Sequence, residues 1–467
     1  MRLRDGLRVL RRDDTEVQVG TDPRWAVRLT DLLPGEADLL CTIDPATDLR
    51  TLPGSAAAAG SSPGRVAHLV LLLEQAGLTT GEPPGPRTGA VATATAEEPD
   101  DSRAGATSHP HGRHPAAAGP DRSGQHPPGS SRTDRATRVQ VTRGREPQHR
   151  RHRHDDPSPD RRPTSHGTSP DRSPQRPSRH GAPARRRERP REAAASRAGA
   201  PDAVAWSLLR PTADGPDVVA ARAGRAVAVS GLGPTGLGLC VALAAAGVGT
   251  VLLDDERPVR PDDVGVGGYR WTNVGAVREQ AAARVLRDVV PTVTTTSSAE
   301  APDVLVLVES EAADPARGPL LVAAGVTHLS VVVHAAGAVV GPLVVPGDGP
   351  CLRCLDLHRA DADPAWPALA LQLHPGPADS ETGAGVPWAA RTRRPQPTAE
   401  PAEVGTLAAV CAGLAAAAVL ARLDGAPHPL RGATAEVTLP GALPRWRRWS
   451  VHPECGCTHL PVAVPAG

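Results

Sequence analysis

The chain has 467 residues, a length typical of about two or three domains. Its 52 basic residues, all arginine, nearly balance 51 acidic ones. A balanced charge excludes a general attraction to nucleic acid or membranes, and we expect neither as a partner. Because charges interrupt the N-terminal residues before any apolar run, no signal peptide is recognisable and a cytoplasmic location is expected.

Residues 1–81 are predicted to form a small α+β domain. Residues 8–20 alternate apolar and polar side chains as a hairpin does, and the next apolar stretch supplies another strand. Residues 33–43 and 64–81 have the apolar spacing of helices, the second ending at Gly77. Strands followed by short helices fit a winged-helix-like domain, and a generic small α+β domain fits equally well.

Residues 82–201 are predicted to be a disordered, Pro/Arg/His-rich linker. Between Leu78 and Leu208 the chain has no Leu, Ile, Phe, Tyr or Met. Such a segment buries too little apolar surface to offset its chain entropy. The cluster HRRHRHDD at residues 149–156 is interpreted as solvated linker, with metal or RNA binding as the open alternative. A misread frame of a GC-rich gene would have the same composition, and this alternative also stays open.

Residues 202–467 are predicted to form an α/β domain with a parallel sheet, because short apolar strands alternate with Ala-rich helices. The strands are expected at residues 225–231, 248–256, 303–310, 327–337 and 339–347, and the helices at 234–247 and 278–291. Residues 404–421 form a long uncharged stretch. We interpret it as a buried helix, with a membrane span as the less favoured alternative at this marginal length.

The sequence GLGPTG at residues 231–236 has the pattern of a phosphate-binding loop between a strand and a helix. Gly231 allows the tight turn, Gly233 lets a phosphate approach the backbone, and Gly236 lets the helix pack close to the strand. The phosphate would bind at the helix N-terminus, where free N–H groups and the helix dipole favour an anion. Asp254 ends the next strand, where an acid can bind a ribose hydroxyl. This pattern predicts a Rossmann-like nucleotide site and does not choose between NAD and ATP.

Four of the seven cysteines occur as two close pairs, C-x-x-C and C-x-C, that are far apart in the sequence. In a reducing compartment, such thiols favour metal binding over disulfides. Four thiolates suit tetrahedral Zn²⁺, and two short pairs let two loops hold one ion. The sequence therefore predicts a structural zinc site formed by Cys351, Cys354, Cys455 and Cys457.

With this glycine loop and these paired cysteines, residues 225–457 resemble the ThiF/E1 superfamily, whose members adenylate the C-terminal carboxylate of a small protein. The resemblance implies a Rossmann-like nucleotide-binding domain closed by a zinc clasp, with ATP and Mg²⁺ as further cofactors. It assigns ribose binding to Asp254, with Glu256 as the second acid of that strand end. Arg278 takes the position of the phosphate-contacting lysine, which keeps the charge and changes its geometry. Arg270 is the candidate for the arginine finger.

The resemblance is incomplete after the strand at residues 303–310. Adenylating members have an aspartate there, in a D-x-x-D-N-like run that positions Mg²⁺ and the triphosphate, whereas this chain has Glu309, Ser310 and Glu311. Glutamate also binds Mg²⁺, so Glu309 is the candidate, but its carboxylate is carried on a longer side chain at a shifted position. We therefore expect a degenerate adenylation site.

CLRCLDLHR with DPAWP, at residues 351–367, and the C-terminal HPECGC resemble actinobacterial ThiF-like proteins that bind leader peptides in thiazole and oxazole pathways. Those proteins often begin with a winged-helix peptide-recognition element, which fits residues 1–81. The implied partners are a precursor peptide or small protein, a YcaO-type cyclodehydratase and a second copy of the chain. For residues 357–367, a polar crossover that only shapes the fold is the open alternative.

Two main functions are consistent with these observations. The first is a binding module that takes a leader peptide as an added strand and presents it to a modifying enzyme. The second is an active ATP-dependent adenylyltransferase of the ubiquitin-like modifier activating type. A third, an NAD-linked oxidoreductase, lacks a proton-transfer group, because His328 and His334 are expected to be core histidines. The missing aspartate favours the binding module.

Overall fold

A computed structural model describes the chain in parts: residues 1–81 except residue 45, the pair 142–143, and residues 198–296, 301–374 and 402–458. Most of the linker predicted over residues 82–201 lies outside these described residues. Two pieces of it are described. Thr142–Arg143 is a short strand, and Ala200 begins a helix where the linker was still expected.

Residues 1–81 form short strands and two helices around a core of their own. The strands are β1 (Arg2–Leu3), β2 (Val9–Arg11), β3 (Val17–Val19), β4 (Val27–Leu29) and β5 (Thr79–Thr80). The helices are α1 (Pro34–Cys41) and α2 (Pro63–Gln75), with a 3-10 turn at Leu49–Ser55 between them. Each helix has proline in its first turn, where a missing N–H donor costs nothing. β2 and β3 pair antiparallel as the predicted hairpin, and β4 extends that sheet.

The second part of the described chain is built on a seven-stranded sheet. Its strands are β7 (Ala226–Ser230), β8 (Thr250–Asp254), β9 (Val304–Ser310), β10 (His328–His334), β11 (Gly337–Val344), β12 (Ala433–Thr438) and β13 (Leu443–Arg448), where β6 is Thr142–Arg143. Their order in the sheet is β13-β12-β11-β10-β9-β7-β8. The strands β8, β7, β9 and β10 are parallel, and the remaining pairs are antiparallel. The sequence predicted the parallel half, but β12 and β13 were missed. β13 is exposed along its length and has no apolar face that would have indicated a strand.

Eight helices are described in this second part of the chain. They are α3 (Ala200–Leu209), α4 (Gly215–Ala221), α5 (Pro234–Ala245), α6 (Arg278–Val289), α7 (Arg317–Ala323), α8 (Leu352–Ala362), α9 (Trp366–Leu373) and α10 (Gly405–Leu423). Within the described residues, α10 is the one helix long and apolar enough to cross a membrane. It packs against α5 and β11, and a core helix meets the same criterion. Leu407 and Val419 lie in the main core, as predicted for a buried helix.

His328, at the start of β10, is one of the predicted core histidines. It is fully buried, its Nδ1 lies 2.8 Å from the carbonyl oxygen of Val326, and its Nε2 has no hydrogen-bond partner among the described residues. Burial lowers the pKa of this imidazole from 6.5 to about 4. Between these pH values the unfolded chain binds the proton more readily than the folded one, so acidification favours unfolding.

We therefore expect the free energy of unfolding to fall by about 3 kcal/mol as the pH is lowered from 6.5 to about 4. His328→Leu should remove this contribution and reduce the pH dependence, because no imidazole is left at this position to be protonated. Urea unfolding of both proteins across this range measures the difference. Equal pH slopes in the two proteins would show that His328 is not the group responsible.

Candidate functional site

The glycine loop lies between β7 and α5, as its sequence pattern predicts. Gly231 has a φ of +91°, and a Cβ there would lie 2.2 Å from the carbonyl oxygen of Val308. A Cβ on Gly236 would lie 1.9 Å from the carbonyl oxygen of Gly231. Both positions therefore exclude a side chain, because the turn brings the backbone of a strand and a helix into direct contact.

A carboxylate of the chain itself lies against this loop. Glu403, just before α10, accepts a hydrogen bond from the backbone N–H of Thr235 at 2.9 Å and another from the Thr235 hydroxyl. A Cβ on Gly233 would lie 2.2 Å from Glu403 Oε1. Gly233 thus permits the close approach of an anion at the start of α5, and the anion found there is a glutamate. Sequence reasoning missed Glu403 because it is far from the loop along the chain.

Other amide groups of the loop also donate to protein oxygens. The N–H of Gly231 donates to the carbonyl oxygen of Asp254 at 3.0 Å, and the N–H of Leu232 donates to Asp255 Oδ2 at 2.8 Å. Asp255 is buried, whereas Asp254 is half-buried and Glu256 is exposed. The two acids assigned to ribose binding therefore remain accessible. Asp255, which lies between them in the sequence, instead holds the loop through the N–H of Leu232. The sequence shows three consecutive acidic residues and does not indicate which of them is buried.

Arg278 does not have the position expected of a phosphate contact. Its side chain is 1% exposed, and its Nη2 and Nη1 lie 2.7 Å and 3.2 Å from carboxylate oxygens of Asp263 and Asp255. Burial alone would raise the pKa of Asp255, but hydrogen bonds and charges of Arg257, with the charge of Arg278, lower it. The predicted role is corrected accordingly: Arg278 neutralises two buried carboxylates inside the domain.

The acids at the end of β9 and just after it also have partners within the protein. Glu309 is 7% exposed and lies 3.7 Å from Arg317 Nη1, and burial raises the pKa of its carboxyl group. Glu311 accepts a hydrogen bond from the Thr21 hydroxyl at 2.7 Å and lies 3.7 Å from His334 Nδ1. The burial of Glu309 and its ion pair with Arg317 therefore argue against the expectation that Glu309 binds Mg²⁺.

Arg270, the candidate arginine finger, is exposed. It precedes the 3-10 turn Trp271–Asn273, and its backbone N–H donates to Asn273 Oδ1 at 2.8 Å. The structure leaves its side chain accessible, so its role stays a prediction. Arg270, Arg278 and Glu309 are not gathered into one catalytic site, since two of them are buried in separate ion pairs.

The four predicted zinc ligands meet at one point. The Sγ–Sγ distance is 3.9 Å for Cys351–Cys354, 3.6 Å for Cys351–Cys455 and 3.5 Å for Cys354–Cys457. All four sulfurs lie within 4.8 Å of one another. A tetrahedral Zn²⁺ with Zn–S bonds of about 2.3 Å places its sulfurs about 3.8 Å apart. The thiols therefore fit a structural Zn²⁺.

A second group of polar side chains lies on the segments that carry the cysteines. His452 Nε2 lies 3.0 Å from Asp361 Oδ2. The rings of His452 and His358 pack edge-on, with their centroids 4.8 Å apart. The other nitrogen of His452 accepts from the N–H of Glu454, and His358 bonds to the carbonyl oxygen of Ser450. His358, Asp361 and His452 are close enough to hold a metal, and each of the two histidine rings also has a protein partner.

The segment from residue 357 to 367 joins the two described parts of the chain. Asp363 accepts hydrogen bonds from Arg12 Nη1 at 2.9 Å and from Arg28 Nη2 at 3.0 Å. In the following helix, Gln372 accepts a hydrogen bond from the backbone N–H of Arg11 at 2.7 Å. Asp363 of this segment and Gln372 of α9 therefore connect the body to the N-terminal sheet.

Residues 220–458 match the model of the ThiF family, and no curated protein matches the chain. Similar solved structures include E. coli MccB with ATP, at 18% identity over 52% of this chain and 69% of that one, with a TM-score of 0.38. The microcin C7 biosynthetic enzyme MccB in complex with N-formylated MccA has 17% identity, coverages of 56% and 76%, and a TM-score of 0.40. PaaA has 15% identity, coverages of 53% and 81%, and a TM-score of 0.38. At these values the resemblance does not define an activity.

Proposed function

Since this chain belongs to the ThiF family, we propose that it binds a ribosomal precursor peptide through residues 1–81 and presents it to a modifying enzyme without adenylating it. The observation that carries this proposal is the edge of β4. This strand takes Thr142–Arg143 as an antiparallel neighbour, with Val27 opposite Arg143 and Arg28 opposite Thr142. An edge that pairs with a segment from outside its own domain has the backbone groups to pair with an extended peptide.

The contacts of the glycine loop support a degenerate adenylation site. Adenylyl transfer needs Mg²⁺ and cations placed against the developing phosphate charge. Here the start of α5 is bonded to Glu403, and the carboxylate of Glu309 and the guanidinium of Arg278 are engaged in the interior. These residues do not fit a bound Mg²⁺–triphosphate, because a negative charge lies where the phosphate would bind.

The proposed division of the chain follows from these two features. Residues 1–81 recognise the peptide, residues 82–201 tether the two parts, and residues 202–467 form the ThiF body with its structural Zn²⁺. The ThiF body binds a partner such as a YcaO-type cyclodehydratase or a second copy of the chain. We place this assembly in the cytoplasm, where four reduced thiols remain free to bind zinc.

Removing the charge of Glu403 is expected to strengthen nucleotide binding. Hydrogen bonds to a charged group are each worth about 1.5–3 kcal/mol, and a nucleotide must displace those between Glu403 and Thr235. We expect Glu403→Gln and Glu403→Ala to bind ADP at least about tenfold more tightly than the parent chain. Calorimetric titration with ADP measures this, and Glu74→Ala, which removes an equal charge at an exposed position of α2, is the control.

The alternative function is an active adenylyltransferase, favoured by the intact turn at Gly231 and the accessible Asp254. We expect the parent chain to show weak or no ATP–pyrophosphate exchange, and peptide binding unaffected by Asp254→Ala. Robust exchange that is lost on Asp254→Ala would reject the binding module and establish the enzyme. An ADP affinity unchanged by Glu403→Gln would show that Glu403 does not compete for the loop.

A further inference from the structure

Two histidines and an aspartate form a second group of candidate metal ligands on the segments that carry the clasp. His358 and Asp361 are three residues apart on α8, so their side chains project from the same face of the helix. His452 lies in the loop that leads to Cys455, and its carbonyl oxygen accepts the N–H of that cysteine at 2.9 Å. Because Cys354 lies on α8, the zinc clasp joins the two segments that carry this second group.

The distances in this group suit one metal ion. One donor atom from each of the three side chains lies within 4.8 Å of the others, and Nε2 of His452 lies 3.0 Å from Oδ2 of Asp361. Two ligands with bonds of about 2.0–2.1 Å to one Zn²⁺ lie about 2.9–3.4 Å apart, for angles between a right angle and the tetrahedral angle. His452 is buried, whereas His358 is half-buried and Asp361 is exposed. Rotation of the two more exposed side chains would complete the coordination around the fixed imidazole.

The hydrogen bonds of His358 leave one ring nitrogen available for an ion. Its Nε2 lies 3.0 Å from the carbonyl oxygen of Ser450 and 3.4 Å from the hydroxyl of the same residue. A carbonyl oxygen only accepts, so Nε2 carries the proton and the lone pair is on Nδ1. A histidine that binds a metal typically donates its other N–H to such a carbonyl or to a carboxylate. The protein contact of His358 therefore favours metal binding.

His452 must move one proton before it can bind an ion. Its Nδ1 accepts the N–H of Glu454 at 3.1 Å, so its Nε2 carries a proton and donates it to Asp361. A metal ion at Nε2 would take the place of that proton. The proton would pass to Nδ1 through solvent, the ring would stay neutral, and the hydrogen bond from Glu454 would be lost. Metal binding at this position therefore costs one hydrogen bond.

We propose that His358, Asp361 and His452 form a second, open site for a divalent transition metal ion. Two imidazoles and one carboxylate suit Zn²⁺, Co²⁺ or Ni²⁺, whereas Mg²⁺ and Ca²⁺ prefer oxygen ligands alone. Three protein ligands leave a coordination position to water, as in catalytic zinc sites. The ion binds more weakly than the clasp zinc because His452 gives up a hydrogen bond. The purified chain therefore keeps one zinc, in the clasp, and takes up the second ion only when metal is added.

Titration of the zinc-loaded, full-length chain with Co²⁺ tests this site. We expect one further ion per chain, with the weak absorption of Co²⁺ bound by nitrogen and oxygen, while the clasp zinc stays bound. Asp361→Asn keeps an acceptor for His452 but removes the negative charge, and it should weaken Co²⁺ binding by at least about tenfold. His358→Gln should have a similar effect. Glu454→Gln removes an exposed carboxylate from the same loop and is the matched control, which should bind Co²⁺ as the parent chain does.

The run at residues 149–156 contains three further histidines and is itself a candidate for metal binding. The titration is therefore repeated on a chain that carries His149→Gln, His152→Gln and His154→Gln together. This chain should still bind the additional Co²⁺, and loss of the ion there would assign it to that run and overturn the proposal. Equal Co²⁺ binding by the parent chain and Asp361→Asn would overturn it as well. So would an intense thiolate-to-cobalt absorption band with release of zinc and no additional ion bound.

Discussion

Removing Zn²⁺, or substituting one of its ligands, is expected to unfold the region around the clasp, where residues 351–354 and residues 455–457 meet. The apolar cluster there is small and includes all four cysteines, with Val322, Val344 and Leu352 as its other buried members. Structural zinc contributes about 10–16 kcal/mol in zinc-finger peptides, against a total stability of about 5–15 kcal/mol for a typical domain. Without the ion, this cluster cannot offset the entropy of ordering two distant segments.

The test is elemental analysis and chelator titration of the parent chain and Cys354→Ser. We expect one zinc per parent chain, little zinc in the variant, and loss of cooperative unfolding of the C-terminal region when zinc is removed. Cys411→Ser is the control, because Cys411 is equally buried in α10 and lies apart from the clasp. It should retain zinc and lose about 1–3 kcal/mol of stability. A parent chain that unfolds cooperatively and contains no zinc would disprove the site.

Arg278→Met is expected to destabilise the ThiF body by about 3–5 kcal/mol, the cost of leaving buried charges without a partner. Arg278 lies between Asp263 and Asp255, and both carboxylates are 1% exposed. Asp255 in turn accepts the N–H of Leu232, so the same substitution should loosen the glycine loop. Arg278→Lys keeps the charge but has no planar fork to span two carboxylates, and an intermediate loss is expected.

Urea unfolding of the variants measures this effect, with Arg287→Met as the matched control. Arg287 lies on the same helix, α6, and is exposed. An exposed substitution of this kind changes stability by at most about 0.5 kcal/mol. If Arg278→Met lost less than about 1 kcal/mol of stability while weakening nucleotide binding, the arginine would be a phosphate contact after all, as the family resemblance implied.

The sequence by itself determined the features that depend on neighbouring residues. The glycine spacing and the apolar runs around it specify strand β7, the turn at Gly231 and helix α5. The cysteine pairs specify a metal clasp, because each pair is short enough to bind one ion from a single loop. The run of Ala and Leu specifies α10 as a helix, and its lack of charge indicates burial.

The tertiary structure alone decided which charged groups remain available for chemistry. Arg278, Glu309 and Glu403 are all ionisable in the sequence, and nothing local distinguishes a buried pair from an exposed site. Folding brings Glu403 to Thr235 across 168 positions of the chain and Arg28 to Asp363 across 335. A charge in the interior must be paired, and its partner is set by the packing of distant elements. Local patterns therefore specified the fold and the clasp, while long-range pairing determined the state of the nucleotide loop.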